Sequence, residues 1–209
     1  MQKFNNSNIY FTSDIHFNHR NICRGTTRWV IEDQAELEAS TRDFNTLEDM
    51  DHAIVSNINK TVGENDTLFF LGDWSFGGIE NVKRASELIN CQNIHFILGN
   101  HDHHIERNTD DTSNRFISVS HYKHIEITHG GRKIEMVLSH YPIASWDNLR
   151  KGSFHLYGHL HRKNENRFGS GKMMDVGIDG HPEFRPYHLD EIIDLLDPRP
   201  MLSLYNDFG

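Results

Sequence analysis

An acid and an imidazole stand two residues apart at Asp14 and His16, where the strand-like run Asn8-Ile9-Tyr10-Phe11 gives way. Alternate side chains of an extended chain point the same way. Asp14 and His16 are therefore expected to face one point while Ile15 packs backwards, offering oxygen and nitrogen donors to a divalent cation. Asp-x-His alone is commonplace. Its weight comes from four later stretches that end apolar runs with the same residue types: Gly72-Asp73, Gly99-Asn100-His101-Asp102, Ser139-His140 and Gly158-His159-Leu160-His161.

The strand-end donors are Asp14, His16, Asp73, Asn100, His101, His140, His159 and His161. Imidazole mixed with carboxylate suits Mn, Fe, Co, Ni or Zn, whereas an all-oxygen set would suit Mg or Ca. Seven or eight donors are too many for one ion. A carboxylate has two oxygens and can be shared, and Asp73 is the natural bridge. Two cations about 3.5–4 Å apart can grip the oxygens of a phosphoryl centre and acidify a bound water. The glycines before Asp73, Asn100 and His159 fit strands that must stop abruptly and leave room for a ligand. Each motif alone is an ordinary turn, cap or strand end; five in one chain, each after an apolar run, point to a site.

The elements that must position these donors follow from periodicity. Residues 8–13 read as a strand, and 17–23 as a polar loop or short helix. Thr46-Leu47-Glu48-Asp49 resembles a capping box, and Leu47, Met50, Ala53, Ile54 and Ile58 recur at helical spacing to about Thr61. Thr67–Leu71 is a buried-type strand, Glu80–Ile89 a helix and Asn93–Leu98 a third strand. This β-α-β-α-β order predicts right-handed crossovers and a parallel sheet, whose sites form at the carboxyl ends of its strands. Residues 103–116 lack periodicity and are expected to be an exposed loop, with His103 and His104 solvated. Strands follow at 117–121, 123–128 and 132–138, with Gly130-Gly131 as a hairpin turn, then at 153–157 and 173–178. Leu189–Leu196 is a closing helix.

The chain has 209 residues and is expected to form one domain over 1–209. Its net charge of −9 disfavours a sheath for long duplex nucleic acid, but leaves a small phosphorylated substrate open because bound cations change the local field. The two cysteines, Cys23 and Cys91, do not form a disulfide framework or a zinc knuckle. Neither an apolar signal region nor a run of membrane-spanning length is present, so a cytoplasmic protein without membrane contact is expected. Oligomeric state is not encoded in any recognisable pattern.

The series Asp14-x-His16, Gly72-Asp73, Gly99-Asn100-His101-Asp102, His140 and Gly158-His159-x-His161 resembles the calcineurin-like metallophosphoesterase superfamily over about residues 8–197. Two connecting stretches, Thr46–Asp51 and Met174–Asp179, are similar to its small single-domain bacterial and phage members. The resemblance implies a four-layer α/β/β/α sandwich with a dinuclear metal site at the strand ends. It implies that Asp14, His16, Asp73 and His161 hold one metal and Asp73, Asn100, His140 and His159 the other, with manganese the favoured ion. His101 would not ligate but would stabilise the transition state or protonate the leaving group, held by Asp102; an adjacent acid able to fix its tautomer agrees with this.

Many family members follow Gly-Asp with an acid–arginine pair; here Trp74-Ser75-Phe76-Gly77-Gly78 stands instead. Substrate contacts are expected from His19, Arg20, Asn21, Arg24 and Arg28, near the first ligands; Trp74 is a candidate stacking surface, with packing as a lid or core residue the favoured alternative. The implied function is hydrolysis of a phosphodiester or phosphomonoester, of small nucleotide type, by a metal-bridging hydroxide. The alternatives are a nuclease on short single strands, with Arg162 joining the arginine track, and a scaffold that has lost its chemistry.

Overall fold

The computed structural model describes residues 1–5, 8–108 and 114–202. Among these residues, ten strands form two five-stranded sheets. The strands are β1 (Gln2–Phe4), β2 (Ile9–Thr12), β3 (Thr67–Phe70), β4 (Asn93–Ile97), β5 (Phe116–Ser120), β6 (Tyr122–His129), β7 (Arg132–Ser139), β8 (Phe154–Tyr157), β9 (Met173–Asp175) and β10 (Tyr187–His188). The helices are α1 (Gln34–Ser40), α2 (Leu47–Thr61), α3 (Ile79–Leu88), α4 (His103–Arg107) and α5 (Leu189–Leu196).

The first sheet has the order β10-β2-β3-β4-β5, parallel except where β10 runs against β2. The second has the order β1-β6-β7-β8-β9, parallel except for the β6–β7 hairpin. That hairpin turns at Gly130 and Gly131, whose φ values of +56° and +79° explain the glycine pair.

β3 shows why the chain builds layers. Leu68 and Phe70 join the cluster under α2 and α3, whereas Phe69 and Leu71 join the core between the sheets. Period-two alternation with both faces covered makes the run continuously apolar. From the second sheet, Ile125, Ile127, Met136, Leu138, Phe154, Leu156 and Met174 fill the same inter-sheet core, joined by Leu189, Ile192 and Leu196 of α5. The outer face of that sheet carries Val137, Tyr157 and Met173 against Trp146 and Leu149. This fourth layer is thin, built around the 3-10 turn Leu149–Lys151.

α2 begins where its sequence indicates, with the Thr46 side chain accepting from the Asp49 N–H at 3.1 Å. α5 has a full capping box between His188 and Glu191. Periodicity did not reveal β1, α1 or β10. Their three, seven and two residues are too short or too polar to show a pattern, and the two strands are set by pairing partners distant in sequence. The expected loop at 103–116 contains α4, while residues 109–113 of that reading lie outside the described residues. His103 is exposed as expected, whereas His104 is half-buried. The expected strand 173–178 stops at Asp175 and turns into a 3-10 helix at Ile178–Gly180. Among the described residues, no helix is long and apolar enough to cross a membrane.

Of the two readings of Trp74, the structure selects the core residue and removes it from the substrate contacts. It is 0% exposed. Its ring packs edge-on against Phe70 at 4.7 Å and Phe116 at 5.4 Å, and its Nε1–H donates to the Val82 carbonyl at 3.3 Å. A ring so enclosed is a core residue and offers no face to a substrate. Trp74→Ala is expected to cost about 3–5 kcal/mol in urea unfolding of the metal-free protein. A loss under about 1 kcal/mol would contradict this placement.

Candidate metal centre

All the strand-end donors converge where the carboxyl ends of the two sheets meet. The seam is backbone: Ser13 bridges Gly177, the Ile178 N–H donates to the Ser13 carbonyl at 3.1 Å, and the Asp14 N–H to the Gly72 carbonyl at 2.9 Å. The extended-chain reason given for Asp14 and His16 does not hold. Both residues are left-handed, with φ of 58° and 49°, as are Asp73 at 59°, His159 at 71° and His161 at 50°. Each such non-glycine residue costs roughly 1–3 kcal/mol, and clusters of them mark sites where the fold enforces a geometry. Tight turns, rather than a pleat, aim these side chains inward.

Three groups of donor atoms form: Asp14, His16 and His161; His16, Asp73 and His101; Asp73, His140 and His159. In the first, the ring Nε2 atoms of His16 and His161 are 3.1 Å apart, and Asp14 Oδ1 lies 3.8 and 3.7 Å from them. In the third, Asn100 Oδ1 lies 3.0 Å from His140 Nε2 and 2.9 Å from His159 Nδ1. Asp73 Oδ2 stands between these groups, 3.4 Å from His16 Nε2 and 3.5 Å from His140 Nε2. Donors about 2.1 Å from one transition-metal ion at tetrahedral or octahedral angles lie about 3.0–3.4 Å apart; the separations above fall in or within 0.1 Å of that range except the two from Asp14 Oδ1, which are longer.

The hydrogen bonds around the donors fit cations as well. Asp14 Oδ2 is satisfied by the Ser13 hydroxyl at 2.5 Å and the His159 N–H at 2.9 Å, whereas its buried Oδ1 has no partner. An orphaned buried carboxylate oxygen facing two imidazoles lacks a positive charge. His140 Nδ1 donates to the Leu71 carbonyl at 2.7 Å and His161 Nδ1 to Asp179 Oδ2 at 2.8 Å. Each therefore turns a bare Nε2 inward, the tautomer a ligand needs.

Burial acts against charge on three of the donors, His16, His159 and Asp73. Burial, then His161, depresses the His16 imidazole well below its usual range, and burial, then His140, lowers His159. Burial also raises the Asp73 carboxyl, with Asp14 adding to it against the opposing pull of His140. His161 is raised, because its bond to Asp179 and the nearby Asp14 outweigh its burial. The imidazoles of His16 and His159 are thus favoured in the neutral form that ligates, and a cation would favour the charged form of Asp73.

His101 faces His16 at 5.4 Å between ring centroids and Phe76 at 4.8 Å, at the edge of the cluster. Asp102 does not hold its ring. Buried at 2% exposure, the Asp102 carboxylate accepts the N–H groups of Asp73 and Gly99, each at 2.7 Å, and of Trp74 at 3.0 Å. Burial, then Asp73, pushes its carboxyl up to about 6. It is a backbone clamp joining two ligand loops; His101 is steadied instead by its own N–H donating to Asp73 Oδ1 at 2.9 Å.

A cleft of 660 Å³ opens beside the cluster, walled by His16, His19, Trp29, Phe76, His101 and Lys163 among others. Of the expected substrate contacts, His19 and Asn21 line it. Burial, then His101, lowers the His19 imidazole to about 4, and its ring stacks on Phe76 at 3.9 Å. Arg20, Arg24 and Arg28 do not line it: Arg24 pairs with Asp43 at 3.0 Å, while Arg20 and Arg28 are exposed. Arg162 lines a different cavity.

Reasoning from sequence passed over Trp29, Lys163, Arg42 and Asp179. Asp179 ends a stretch already noted for its resemblance, but its contact with Arg42 spans 137 residues and leaves no local pattern.

The three glycines are required by close approach. A Cβ on Gly99 would sit 2.3 Å from Asp73 Oδ1, one on Gly72 2.6 Å from His140 Nδ1, and one on Gly158 2.4 Å from Asp14 Oδ2. Gly99→Ala is expected to lower Mn²⁺ affinity by about 10–100-fold, the range for disturbed ligand support, with the far-ultraviolet circular dichroism unchanged. Unaltered affinity in isothermal titration would refute this account of the glycine.

The chain is similar over 95% of its length to an uncharacterized protein of Methanocaldococcus jannaschii, at 28% identity and covering 97% of that protein. The gene 66 proteins of mycobacterium phages D29 and L5 are 26% and 25% identical, over 91% of this chain and 96% and 95% of theirs. In fold it is similar to a crystal structure of a protein of unknown function from Aquifex aeolicus, with TM-score 0.57 and 20% identity over 90% of this chain and 98% of that one. The sequence profile described as calcineurin-like phosphoesterase matches residues 7–199. With that match and its Asp/His donor clusters, the chain belongs to the calcineurin-like phosphoesterases, a family of metal-dependent phosphoester hydrolases.

Proposed function

We propose that this protein hydrolyses a small nucleotide-type phosphoester with two divalent cations, manganese by preference. One cation is assigned to Asp14, His16, Asp73 and His161, the other to Asp73, Asn100, His140 and His159. The observation carrying this reading is the position of Asp73 Oδ2, 3.4 Å from a nitrogen of one set and 3.5 Å from a nitrogen of the other. When bound, such a pair supplies Lewis acidity to the phosphoryl oxygens and acidifies water towards neutrality.

The rest of the chemistry is the chain's own. His101 stands where the cleft meets the donors, and an imidazole nitrogen there can pass a proton to a departing alkoxide. The cleft volume of 660 Å³ suits a nucleotide-sized group. The aromatic role expected of Trp74 passes to Trp29, which is 42% exposed on the cleft wall and free to stack on a base. Lys163, on the same wall, adds a cation for a second phosphate. A small substrate is favoured over a nucleic-acid strand because Arg20, Arg24 and Arg28 do not line the cleft and Arg162 lines a different cavity.

With Mn²⁺ added, the wild type is expected to cleave bis-p-nitrophenyl phosphate or p-nitrophenyl phosphate, and Asp73→Asn to lose about 100-fold or more of kcat/KM. Equal turnover by the two proteins would defeat the reading. His101→Ala should lose more rate on an alkyl ester, whose leaving group needs the proton, than on an aryl ester. An equal loss on both would remove the proton-donor role from His101. Trp29→Ala is expected to raise KM for nucleotide substrates while leaving kcat within about twofold, the sign of lost ground-state binding; an unchanged KM would exclude stacking there.

A further inference from the structure

Trp74 and Ser75 follow Gly72-Asp73, where the family resemblance leads one to expect an acid–arginine pair. A buried acid–arginine pair is nevertheless present, assembled from the turn after α1 and the segment after β9. Arg42 is 4% exposed. Its Nε and Nη2 donate to the two oxygens of Asp179 at 2.9 and 2.8 Å. The same guanidinium donates from Nη2 to the Asp14 carbonyl at 2.6 Å and from Nη1 to the Ile15 carbonyl at 2.8 Å. Asp179 Oδ2 also accepts the Nδ1–H of His161 at 2.8 Å.

Beyond the bonds between the two partners, the side-chain hydrogen bonds of this pair run to one half of the donor cluster. The planar fork of Arg42 fixes the two carbonyls that flank the left-handed turn between Asp14 and His16. Asp179 fixes the orientation and tautomer of His161 and raises the basicity of its inward Nε2. Both Asp179 oxygens are thereby paired, Oδ1 with the Arg42 Nε–H and Oδ2 with the Arg42 Nη2–H and the His161 Nδ1–H. The other half is supported separately: His140 leans on the Leu71 carbonyl, and Asp102 clamps Asp73, Trp74 and Gly99.

We infer that Arg42 and Asp179 are positioning residues dedicated to one cation, setting the affinity of the Asp14–His16–His161 site independently of the Asn100–His140–His159 site. This inference rests on the two-cation reading above. It gives a specific meaning to the departure after Gly72-Asp73: the ion pair that orders the ligands comes from Arg42 and Asp179, on the side of the centre that holds His161.

The test uses the full chain, stripped with chelator and titrated with Mn²⁺ alone, with bound metal counted by mass spectrometry and spin coupling read by electron paramagnetic resonance. Asp179→Asn keeps the shape and removes the charge. The double variant Arg42→Gln/Asp179→Asn removes both charges, so no unpaired charge is left buried if the single variant folds poorly. The wild type should take up two Mn²⁺ with a coupled signal. Both variants should retain one tightly, bind the second about 10–100-fold more weakly, and recover the coupled signal at high Mn²⁺. Asn100→Ala should leave an uncoupled ion at the Asp14–His16–His161 site, and adding Asp179→Asn to it should weaken that remaining ion. Equal weakening of both sites, or none in either, would overturn the assignment of the pair to one cation. A wild type that binds a single Mn²⁺ would overturn the two-cation reading instead, and there Asp179→Asn in the Asn100→Ala background still reports whether the pair supports its own site.

Discussion

Two carboxylates and several imidazoles cannot be buried against one another without positive charge among them. Asp14 and Asp73 are 0% and 2% exposed, and their free oxygens face His16, His140 and His161. The nearby guanidinium of Arg42 is directed to Asp179 and to backbone carbonyls, not to these oxygens. Desolvation penalises such an arrangement heavily. Its persistence in a fold that also bears left-handed turns at five of the ligand positions makes sense if cations repay it on binding.

The fold serves that constraint by bringing together strand ends from two sheets. Parallel order puts the carboxyl ends of β2, β3 and β4 on one edge, and the Ser13–Gly177 seam joins them to the end of β9. Apolar residues between the sheets fix the distance between the edges, while glycines at 72, 99 and 158 let ligand loops approach more closely than any side chain permits. Support for the donors is divided. Asp102 ties the loops after β3 and β4 together, and Asp179 with Arg42 ties the loop after β2 to His161. Two carboxylates with similar burial thus hold different halves of the centre.

Much of this was legible in the sequence because the signals are local. Thr67–Leu71 reads as a doubly covered strand, α2 carries its own cap and stripe, and each ligand follows an apolar run. The illegible parts depend on distant contacts. Asp102 lies next to His101, and adjacency suggested that it held the imidazole; its carboxylate instead turns back to three backbone N–H groups, which no sequence pattern displays. Trp74 follows a ligand, yet the turn at Asp73 sends it into the core with Phe70 and Phe116. Trp29 lies in an irregular segment without periodicity and reaches the cleft only through tertiary packing. The donors were found by type and spacing, whereas the residues that orient them needed three dimensions.

The proposed function turns on one oxygen of Asp73 being shared between two cations. Anomalous diffraction at the manganese edge from Mn²⁺-replete crystals tests it most directly. The account predicts two peaks about 3.5–4 Å apart, one beside His16 and His161 and one beside His140 and His159, with Asp73 Oδ2 between them. A single peak in fully loaded protein, or two peaks too far apart to share that oxygen, would contradict it.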